Sequence, residues 1–387
     1  MSQVPKIVQQ RMIEALEMGR GLAARDFPEA ELMGEAGALG SSVLFGDFVD
    51  LLLLQWGDLD NQNAAANAIC EGFKRNSHRE AFIHAVDALV EADINDFAPF
   101  AKALDSRAGD GSTSMHIRVE AVAGLTRLAL RSSRWTTYAG AGVLRLLDEE
   151  DDWVKAKLCR LTSILHDQLA WDQAVESLKT LTSCTACAAE ARQELGFVEM
   201  SAAFQSDNLL SMVAHLAQSA TWFEQCARFA EDAPRARMYG VVAGALSKSL
   251  NGDLTAALDV GELGNDAQWV VNYGPPRAGA SWLAPPVEAE LEWIPLLAPH
   301  DGSAAVDPFS LFASAVQVFE KVRAVQVTIN GKREYRAPSF STLTERARAM
   351  GLGRTWLGNP TASNLSSEGR ARLEAVFRPP GASPGKH

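Results

Sequence analysis

The chain has 387 residues, of which 47% are hydrophobic and 22% are charged, and its formal net charge is −12. This composition is typical of a globular protein with enough apolar surface for a substantial core. The negative charge argues against a protein that coats nucleic acid or an anionic membrane with its whole surface. Five cysteines in a chain of this length are too few for a disulfide framework, which favours a reducing cytoplasm.

The N-terminal residues show no targeting segment. The stretch MSQVPKIVQQRMIEALEMGRG mixes charges into an amphipathic pattern and lacks the unbroken apolar run of a secretory signal. The longest apolar run, LLLLQW at 51–56, is far shorter than the roughly 20 residues that a bilayer span needs. Arginine strongly outnumbers lysine, which is typical of a GC-rich bacterial genome. We therefore predict a cytoplasmic bacterial protein without membrane contact.

Helical periodicity dominates residues 1–263. Val154, Leu158, Leu161 and Leu165, for example, recur at three- and four-residue intervals and so predict one apolar helix face. The same spacing occurs at Phe82, Val86, Leu89 and Val90, at Val122, Leu125, Leu128 and Ala129, at Leu209, Val213, Leu216, Ala220, Phe223 and Ala227, and at Tyr239, Val242, Ala243 and Leu246. Short polar breaks separate these segments, and short connections make neighbouring helices antiparallel.

Predicted helix pairs that recur about every forty residues indicate stacked helical hairpins. The predicted fold is therefore all-α, an irregular helical-repeat, α-solenoid-like array of antiparallel helical hairpins over residues 1–263. A compact, non-repeating all-α domain is the alternative. The repeats are not similar enough to one another to name a repeat family.

The amino-acid composition changes in residues 264–307, where prolines and glycines surround two short apolar segments that contain Trp282 and Trp293. Each proline removes a backbone donor and restricts the residue before it, so this stretch cannot be one continuous helix. We predict a linker that is packed on the helical body through its aromatic side chains.

Residues 308–387 are predicted to form a small C-terminal module. It begins with a helix over 308–322 and continues with a β-hairpin over 325–337. Val325, Val327 and Ile329 alternate with polar residues, and the Asn-Gly pair at 330–331 is typical of a type I′ turn. Two short helices and a disordered tail from about residue 379 complete the prediction.

Charge separates this module from the rest of the chain. Residues 321–387 contain twelve lysines and arginines against four glutamates, a net charge of +8, so the remaining residues carry −20. A basic tail on an acidic body is typical of nucleic-acid contact or of electrostatic docking. The candidate nucleic-acid or docking contacts are Lys332, Arg333, Arg336, Arg346, Arg348 and Arg354.

A helix-turn-helix is one specific form of the nucleic-acid hypothesis. Ala347, Gly351 and Leu357 have the spacing of its small, turn and core positions. Gly358 and Pro360, however, would end the second helix after little more than one turn, which is too short for a recognition helix. We therefore favour docking of the hairpin, onto the acidic body or onto a second protein.

The sequence contains only weak matches to metal-binding, phosphate-binding or catalytic motifs. Cys184 and Cys187 have the spacing of half a zinc site, but no second pair accompanies them, and at helical spacing such cysteines are typical of small buried residues. The glycines of 34–42 do not match a phosphate loop. The acidic run at 148–152 lacks the ligand spacing of a calcium loop and predicts a solvated turn before a helix. We predict no catalytic, cofactor-binding or metal-binding residues and no cofactor.

The predicted function is that of a non-catalytic scaffold or adaptor, which binds a protein partner through an acidic helical surface. Tryptophans near predicted helix ends, among them Trp135 and Trp153, are candidate anchors for such an interface. Two alternatives stay open. One is a nucleic-acid-associated factor that uses the basic module, and the other is a helical enzyme whose site lies where the body meets the linker.

Overall fold

The computed structural model describes residues 43–54, 56–58, 62–206, 208–230, 233–251, 260–273, 287–297, 308–329 and 332–340. These residues form fourteen α-helices and one two-stranded hairpin, which confirms the predicted all-α fold with a small β-hairpin. They divide into two compact units. The described residues of Met1–Gln173 and Gln326–Tyr335 form the first, and those of Ala174–Val325 and Arg336–His387 form the second.

The described part of the first unit stacks seven helices in two rows. They are α1 (Phe45–Leu54), α2 (Gln62–Arg75), α3 (Arg79–Glu91), α4 (Ala98–Gly109), α5 (Met115–Arg131), α6 (Thr136–Leu146) and α7 (Asp152–Leu169), with 3₁₀ turns at Trp56–Asp58 and Ser133–Trp135. Helix α3 contacts α1 and α5, and α5 contacts α7, which makes one row. Helix α4 contacts α2 and α6 in the second row, and α5 joins the rows through α4 and α6.

Helix α7 shows how the sequence determines each element of this stack. Its predicted apolar face, Val154, Leu158, Leu161 and Leu165, is completely buried. The carboxylate of Asp151 accepts a hydrogen bond from the backbone nitrogen of Val154 at 3.0 Å. This bond satisfies one of the amide donors that a helix start leaves without an intrahelical partner. The predicted acidic start of this helix is therefore confirmed.

Polar contacts in the first unit repeat with the predicted period. Arg127 on α5 pairs with Asp87 on α3, which lies 40 residues earlier in the chain. Arg145 on α6 donates to Asp105 on α4 at 2.5 Å, again across 40 residues. Because these pairs lie in different rows, both rows advance by one helical hairpin every 40 residues, as an α-solenoid does.

The described part of the second unit contains the other seven helices and one further 3₁₀ segment at Val287–Glu292. The helices are α8 (Ala174–Leu181), α9 (Ala188–Gln205), α10 (Leu209–Phe229), α11 (Pro234–Leu250), α12 (Val260–Tyr273), α13 (Trp293–Leu297) and α14 (Pro308–Arg323). Each of α8 to α12 contacts the next along the chain. Helix α14 packs on α11 and on the 3₁₀ segment.

Aromatic rings fill the core of the second unit. The ring centre of Phe197 lies 5.1 Å from that of Phe223 and 4.8 Å from that of Tyr239. Phe204 and Phe319 are 5.0 Å apart, and all five side chains are completely buried. The edge-to-face angles of these pairs are the arrangement that aromatic quadrupoles favour. Aromatic packing therefore holds α9, α10, α11 and α14 together.

One glycine allows α9 and α10 to approach closely. A Cβ atom at Gly196 would lie only 2.7 Å from Cζ of the buried Phe223 ring. The hydroxyl of Ser219 on α10 also donates to the backbone oxygen of Gly196 at 2.7 Å. A larger residue at position 196 would have to push the ring, and with it the helix, outwards.

The predicted three-part organisation stays a prediction, and the boundaries of the two units and of α12 lie at other positions than its boundaries. The change of unit, between Gln173 and Ala174, lies inside the predicted body of 1–263. Helix α12 continues to Tyr273, ten residues into the predicted linker of 264–307. Trp293, in the same stretch, is completely buried in the core of the second unit. A part of this proline-rich stretch therefore belongs to the hydrophobic core of the second unit.

The predicted hairpin is formed by β1 (Val325–Ile329) and β2 (Lys332–Arg336). Val325 and Val327 of β1 are buried, whereas β2 is exposed except for half-buried Arg336. Several predictions lie outside the described residues. These are the turn at 330–331, the two helices, the helix-turn-helix spacing and the tail after residue 340, and the glycine-rich stretch of 34–42.

Candidate functional site

The first unit buries a larger share of its positive charges than of its negative ones. Among the residues of 43–173 whose burial is described, five of thirteen lysines and arginines are buried, but only two of eighteen carboxylates are. The surface of this region therefore carries eight cations and sixteen carboxylates. The region is more acidic on its surface than its sequence composition indicates.

Two of the buried arginines bind backbone oxygens near helix ends. Arg107 donates to the backbone oxygen of Lys74 at 2.6 Å, and Arg118 donates to that of Ala108 at 3.0 Å. The last carbonyl groups of a helix have no intrahelical donor and carry a partial negative charge, so a guanidinium group is a favourable partner. These two arginines therefore bind groups inside the array and do not balance the carboxylates on its surface.

A buried ion network joins α3, α5 and α7. Arg79 donates to Oε1 of Glu120 at 2.9 Å, and the ammonium group of Lys157 bonds to Oε2 of the same carboxylate. Glu120 and Lys157 are each only 3% exposed. Burial lowers the pKa of Lys157, and the attraction of Glu120 offsets this effect only in part. The network is a structural cross-link between three neighbouring repeats.

Trp153 lies at the exposed end of this network, on the first turn of α7. Its side chain is 36% exposed. The guanidinium carbon of Arg79 is 4.4 Å from the centre of the indole ring, and the ring centre of His116 is 4.8 Å from it. These neighbours fix the orientation of the indole, so the exposed part of Trp153 is a rigid aromatic surface.

Residues 148–152, which we name the acidic turn, precede Trp153 directly. Asp148, Glu150, Asp151 and Asp152 are exposed. Glu149 is half-buried, and its carboxylate lies 3.4 Å from Arg118. The partial positive charge at the start of α7 stabilises the carboxylates next to it. Together the acidic turn and Trp153 form a surface with concentrated negative charge and one fixed aromatic ring.

The predicted C-terminal contacts are only partly described. Lys332, Arg333 and Arg336 lie on β2, whereas Arg346, Arg348 and Arg354 lie outside the described residues. Arg333 donates to Oε2 of Glu91, in the last turn of α3, at 3.0 Å. The hydrogen bond to Glu91 raises the pKa of Arg333. One of the predicted docking residues is thus in contact with the helices of the first unit.

The surroundings of Glu91 are rich in carboxylates. Asp87 lies one turn earlier on α3 and pairs with Arg127. Burial raises the pKa of Asp50 on α1. Repulsion from the nearby carboxylate of Glu91 adds to this effect. A basic strand at this end of α3 supplies positive charge where a helix C-terminus favours it.

A buried cluster of titratable residues lies in the second unit, where α11 meets the 3₁₀ segment. Glu290 accepts hydrogen bonds from Nε of Arg235 at 3.0 Å and from the hydroxyl of Tyr239 at 2.9 Å. Nη2 of Arg235 also donates to the second oxygen of Glu290 at 3.3 Å. Both carboxylate oxygens are therefore engaged by donors. Glu290 is also only 1% exposed, so this arrangement is that of a structural cross-link, because a general base must reach the proton that it abstracts.

The cysteine pair does not lie on one helix face. Cys184 is in the turn before α9, and Cys187 is the N-cap residue of that helix, which begins at Ala188. The helical spacing predicted for this pair is therefore wrong, because the helix starts after the second cysteine. Among the described residues, no group of three or more His, Cys, Asp or Glu side chains is arranged to hold a metal ion.

The ion network of Arg79, Glu120 and Lys157 was not predicted from the sequence. A usable signal was present, because these opposite charges are 41 and 37 residues apart, close to the helical repeat. None of the described helices combines the length and the apolar character that a membrane span requires.

Comparisons with protein families, with characterised proteins and with solved structures find no significant match to this chain.

Proposed function

We propose that this protein is a non-catalytic interaction scaffold, and that its first unit binds a basic segment of a protein partner. The observation that carries the proposal is the distribution of charge in residues 43–173, where cations are buried more often than carboxylates and the surface has twice as many carboxylates as cations. Such a surface attracts basic partners and repels acidic ones.

The acidic turn and Trp153 are the binding surface that we assign. Interfaces obtain most of their affinity from a few rigid aromatic or arginine anchors, with polar residues around them. Trp153 is such an anchor, since Arg79 and His116 hold its ring. The exposed carboxylates of Asp148, Glu150 and Asp152 surround it and select for lysine and arginine.

The contact between Arg333 and Glu91 supports this choice of partner. It places an arginine from an exposed β-strand on an acidic helix of the first unit, with an N–O distance of 3.0 Å. A basic, extended segment is therefore a type of ligand that the helices of this unit accept. We propose that the hairpin is a docking element for the same reason.

The test is affinity capture from the native host with the full-length chain, with and without nuclease. One variant carries Asp148→Asn, Glu150→Gln and Asp152→Asn, which leaves the N-cap Asp151 intact. The matched control carries Glu176→Gln, Glu224→Gln and Glu288→Gln, three exposed carboxylates of the second unit. We expect a partner that survives nuclease, binds the control normally and binds the variant about tenfold more weakly, since each exposed charge contributes a few tenths of a kcal/mol.

Two outcomes would contradict the proposal. Equal loss in the variant and in the control would show that net charge, rather than this surface, determines binding. Recovery that disappears with nuclease, and that Lys332→Gln with Arg336→Gln also abolishes, would favour the nucleic-acid alternative. A Trp153→Ala variant sharpens the test, because loss of an aromatic anchor at the centre of an interface weakens binding by about thirtyfold or more.

A further inference from the structure

Cys184 and Cys187 differ from the other cysteines of the chain in their surroundings. No disulfide joins any of the five cysteines. Cys70, Cys159 and Cys226 are buried inside helices, and Cys187 is buried at the start of α9, whereas Cys184 is half-buried in the loop between α8 and α9. A small reagent therefore has access to Cys184 first.

The backbone of Cys184 and the thiol of Cys187 contact the same backbone oxygen. The backbone nitrogen of Cys184 donates to the oxygen of Leu181 at 3.2 Å, and the thiol of Cys187 donates to the same oxygen at 3.4 Å. Residues 185–187 form a turn. A turn brings the ends of a four-residue segment within about 7 Å, and the Cα atoms of a disulfide are about 4.4–6.8 Å apart. The pair can thus be bridged with little backbone movement.

Two opposing effects act on the thiolate form of Cys187. It is the N-cap residue of α9, a helix of 18 residues, and the partial positive charge at a helix start stabilises a thiolate, the form that attacks a disulfide. Its side chain is also completely buried, which favours the neutral thiol, so the half-buried Cys184 is the thiol that an oxidant reaches first. Burial has a strong effect on two other cysteines. It raises the pKa of Cys70 to about 11 and that of Cys226 to about 12, so their thiolate forms are scarce near neutral pH.

We propose that Cys184 and Cys187 are a redox-active dithiol, which a small-molecule disulfide such as oxidised glutathione converts into an intramolecular disulfide. This site is independent of the proposed binding function of the first unit.

The reaction has two exchange steps. The thiolate of Cys184 attacks one sulfur of the small disulfide, which forms a mixed disulfide and releases one small thiolate. The thiolate of Cys187 then attacks the sulfur of Cys184, which forms the intramolecular bond and releases the second small thiolate. Two electrons pass from the protein to the small disulfide, and the two protons of the protein thiols go to the released thiolates.

Oxidation would change the connection between α8 and α9. The sulfur of Cys187 cannot both bond to Cys184 and keep its hydrogen-bonding proton for Leu181, the last residue of α8. The bond to the end of α8 is therefore lost in the oxidised form.

The test is incubation of the reduced, full-length protein with increasing oxidised glutathione, followed by denaturation, alkylation and intact-mass measurement. We expect the wild type to lose two of its five alkylatable thiols and about 2 Da of mass, with peptide mapping that places the bond between residues 184 and 187. Cys187→Ser should stop at one glutathione adduct on Cys184. Cys184→Ser should keep its four remaining thiols.

Cys226→Ser is the matched control, and it should lose the same two thiols as the wild type. The proposal fails if the wild type keeps all five thiols at oxidant concentrations that fully oxidise a reference dithiol peptide. It also fails if the mixed adduct persists in the wild type, or if mapping finds another pairing. Because mapping is done on the wild type, the result does not depend on whether a cysteine variant folds.

Discussion

The two units bury charged side chains in different ways. In the first unit the ion pairs join successive repeats, as Arg127 does with Asp87, and they follow the 40-residue period of the helices. In the second unit an aromatic core surrounds a few isolated polar clusters, of which Glu290 with Arg235 and Tyr239 is one. A charged side chain in the first unit can pair with a charge on the next helix of its row, as Arg127 does with Asp87. Glu290, inside the core of the second unit, is bound by Arg235 and Tyr239.

This difference explains why the first unit is the better candidate for binding. Five of its cations are buried between the helices, and most of its carboxylates remain on the surface. The second unit has a hydrophobic core that combines aromatic rings with aliphatic side chains. Measurements of the stability of variants test this difference between the two units.

The largest effect is expected at Glu290. Glu290→Ala removes the carboxylate that binds Arg235 and Tyr239, and leaves a buried guanidinium group without it. Loss of one partner of a buried ion pair costs about 3–5 kcal/mol. Denaturant unfolding followed by tryptophan fluorescence measures the change. Glu176→Ala, which removes an exposed carboxylate of the same unit, should cost less than about 1 kcal/mol.

A second variant tests whether the Glu290 effect is due to an uncompensated charge. Glu290→Leu combined with Arg235→Met should recover most of the lost stability, because an apolar pair can replace a buried ion pair. If the double variant is as unstable as Glu290→Ala, the cluster contributes through packing, and the contrast between the two units is weaker than we state.

The next effect concerns the close approach of α9 and α10. Gly196→Ala should destabilise the second unit by about 1–3 kcal/mol, because its methyl group would overlap the buried ring of Phe223. Gly244→Ala, on α11, is the matched control. Its methyl group would meet Ala220 at an ordinary 3.9 Å, so the higher helix propensity of alanine should stabilise the unit by up to about 1 kcal/mol. Thermal unfolding of both variants checks the opposite signs.

A smaller effect is expected for Arg333 and Glu91. Their side chains are 65% and 39% exposed, and exposed pairs contribute about 0.2–1 kcal/mol. A double-mutant cycle with Arg333→Gln and Glu91→Gln measures the coupling, which should decrease at high salt. A coupling energy of zero at low salt would show that the hairpin is held without this contact.

The smallest effect is a pH dependence at Asp50. Burial raises its pKa above the ordinary value of 3.8, so the folded protein binds this proton more tightly than the unfolded chain does. Stability therefore falls as pH rises through the folded-state pKa, and the loss persists at neutral pH. Asp50→Asn should be slightly more stable than the wild type at pH 7 and equal to it below about pH 3.8. The opposite sign at pH 7 would mean that the attraction of His84 dominates.

Elements with local signals were predicted well. The apolar face of α7 and its start after Asp151 follow from periodicity and capping, which need only neighbouring residues. The strands β1 and β2 follow from alternation in the same way. For the proline-rich stretch, packing through aromatic side chains was predicted and Trp293 is buried, but the continuation of α12 to Tyr273 was not predicted. Of the candidate surface, Trp153 was predicted as an anchor, but its neighbours Arg79 and His116 were not.

Local spacing and composition are enough to predict the helices, their repeat of about forty residues, the hairpin and the excess of negative charge. Which charges are buried depends on how the helices pack against one another. Lys157 and Glu120 are polar in the sequence, yet the packing of α5 against α7 makes them the centre of a buried network. The physical reason is that a charge is stable inside a protein only where a partner of opposite sign is also placed, and that partner lies tens of residues away.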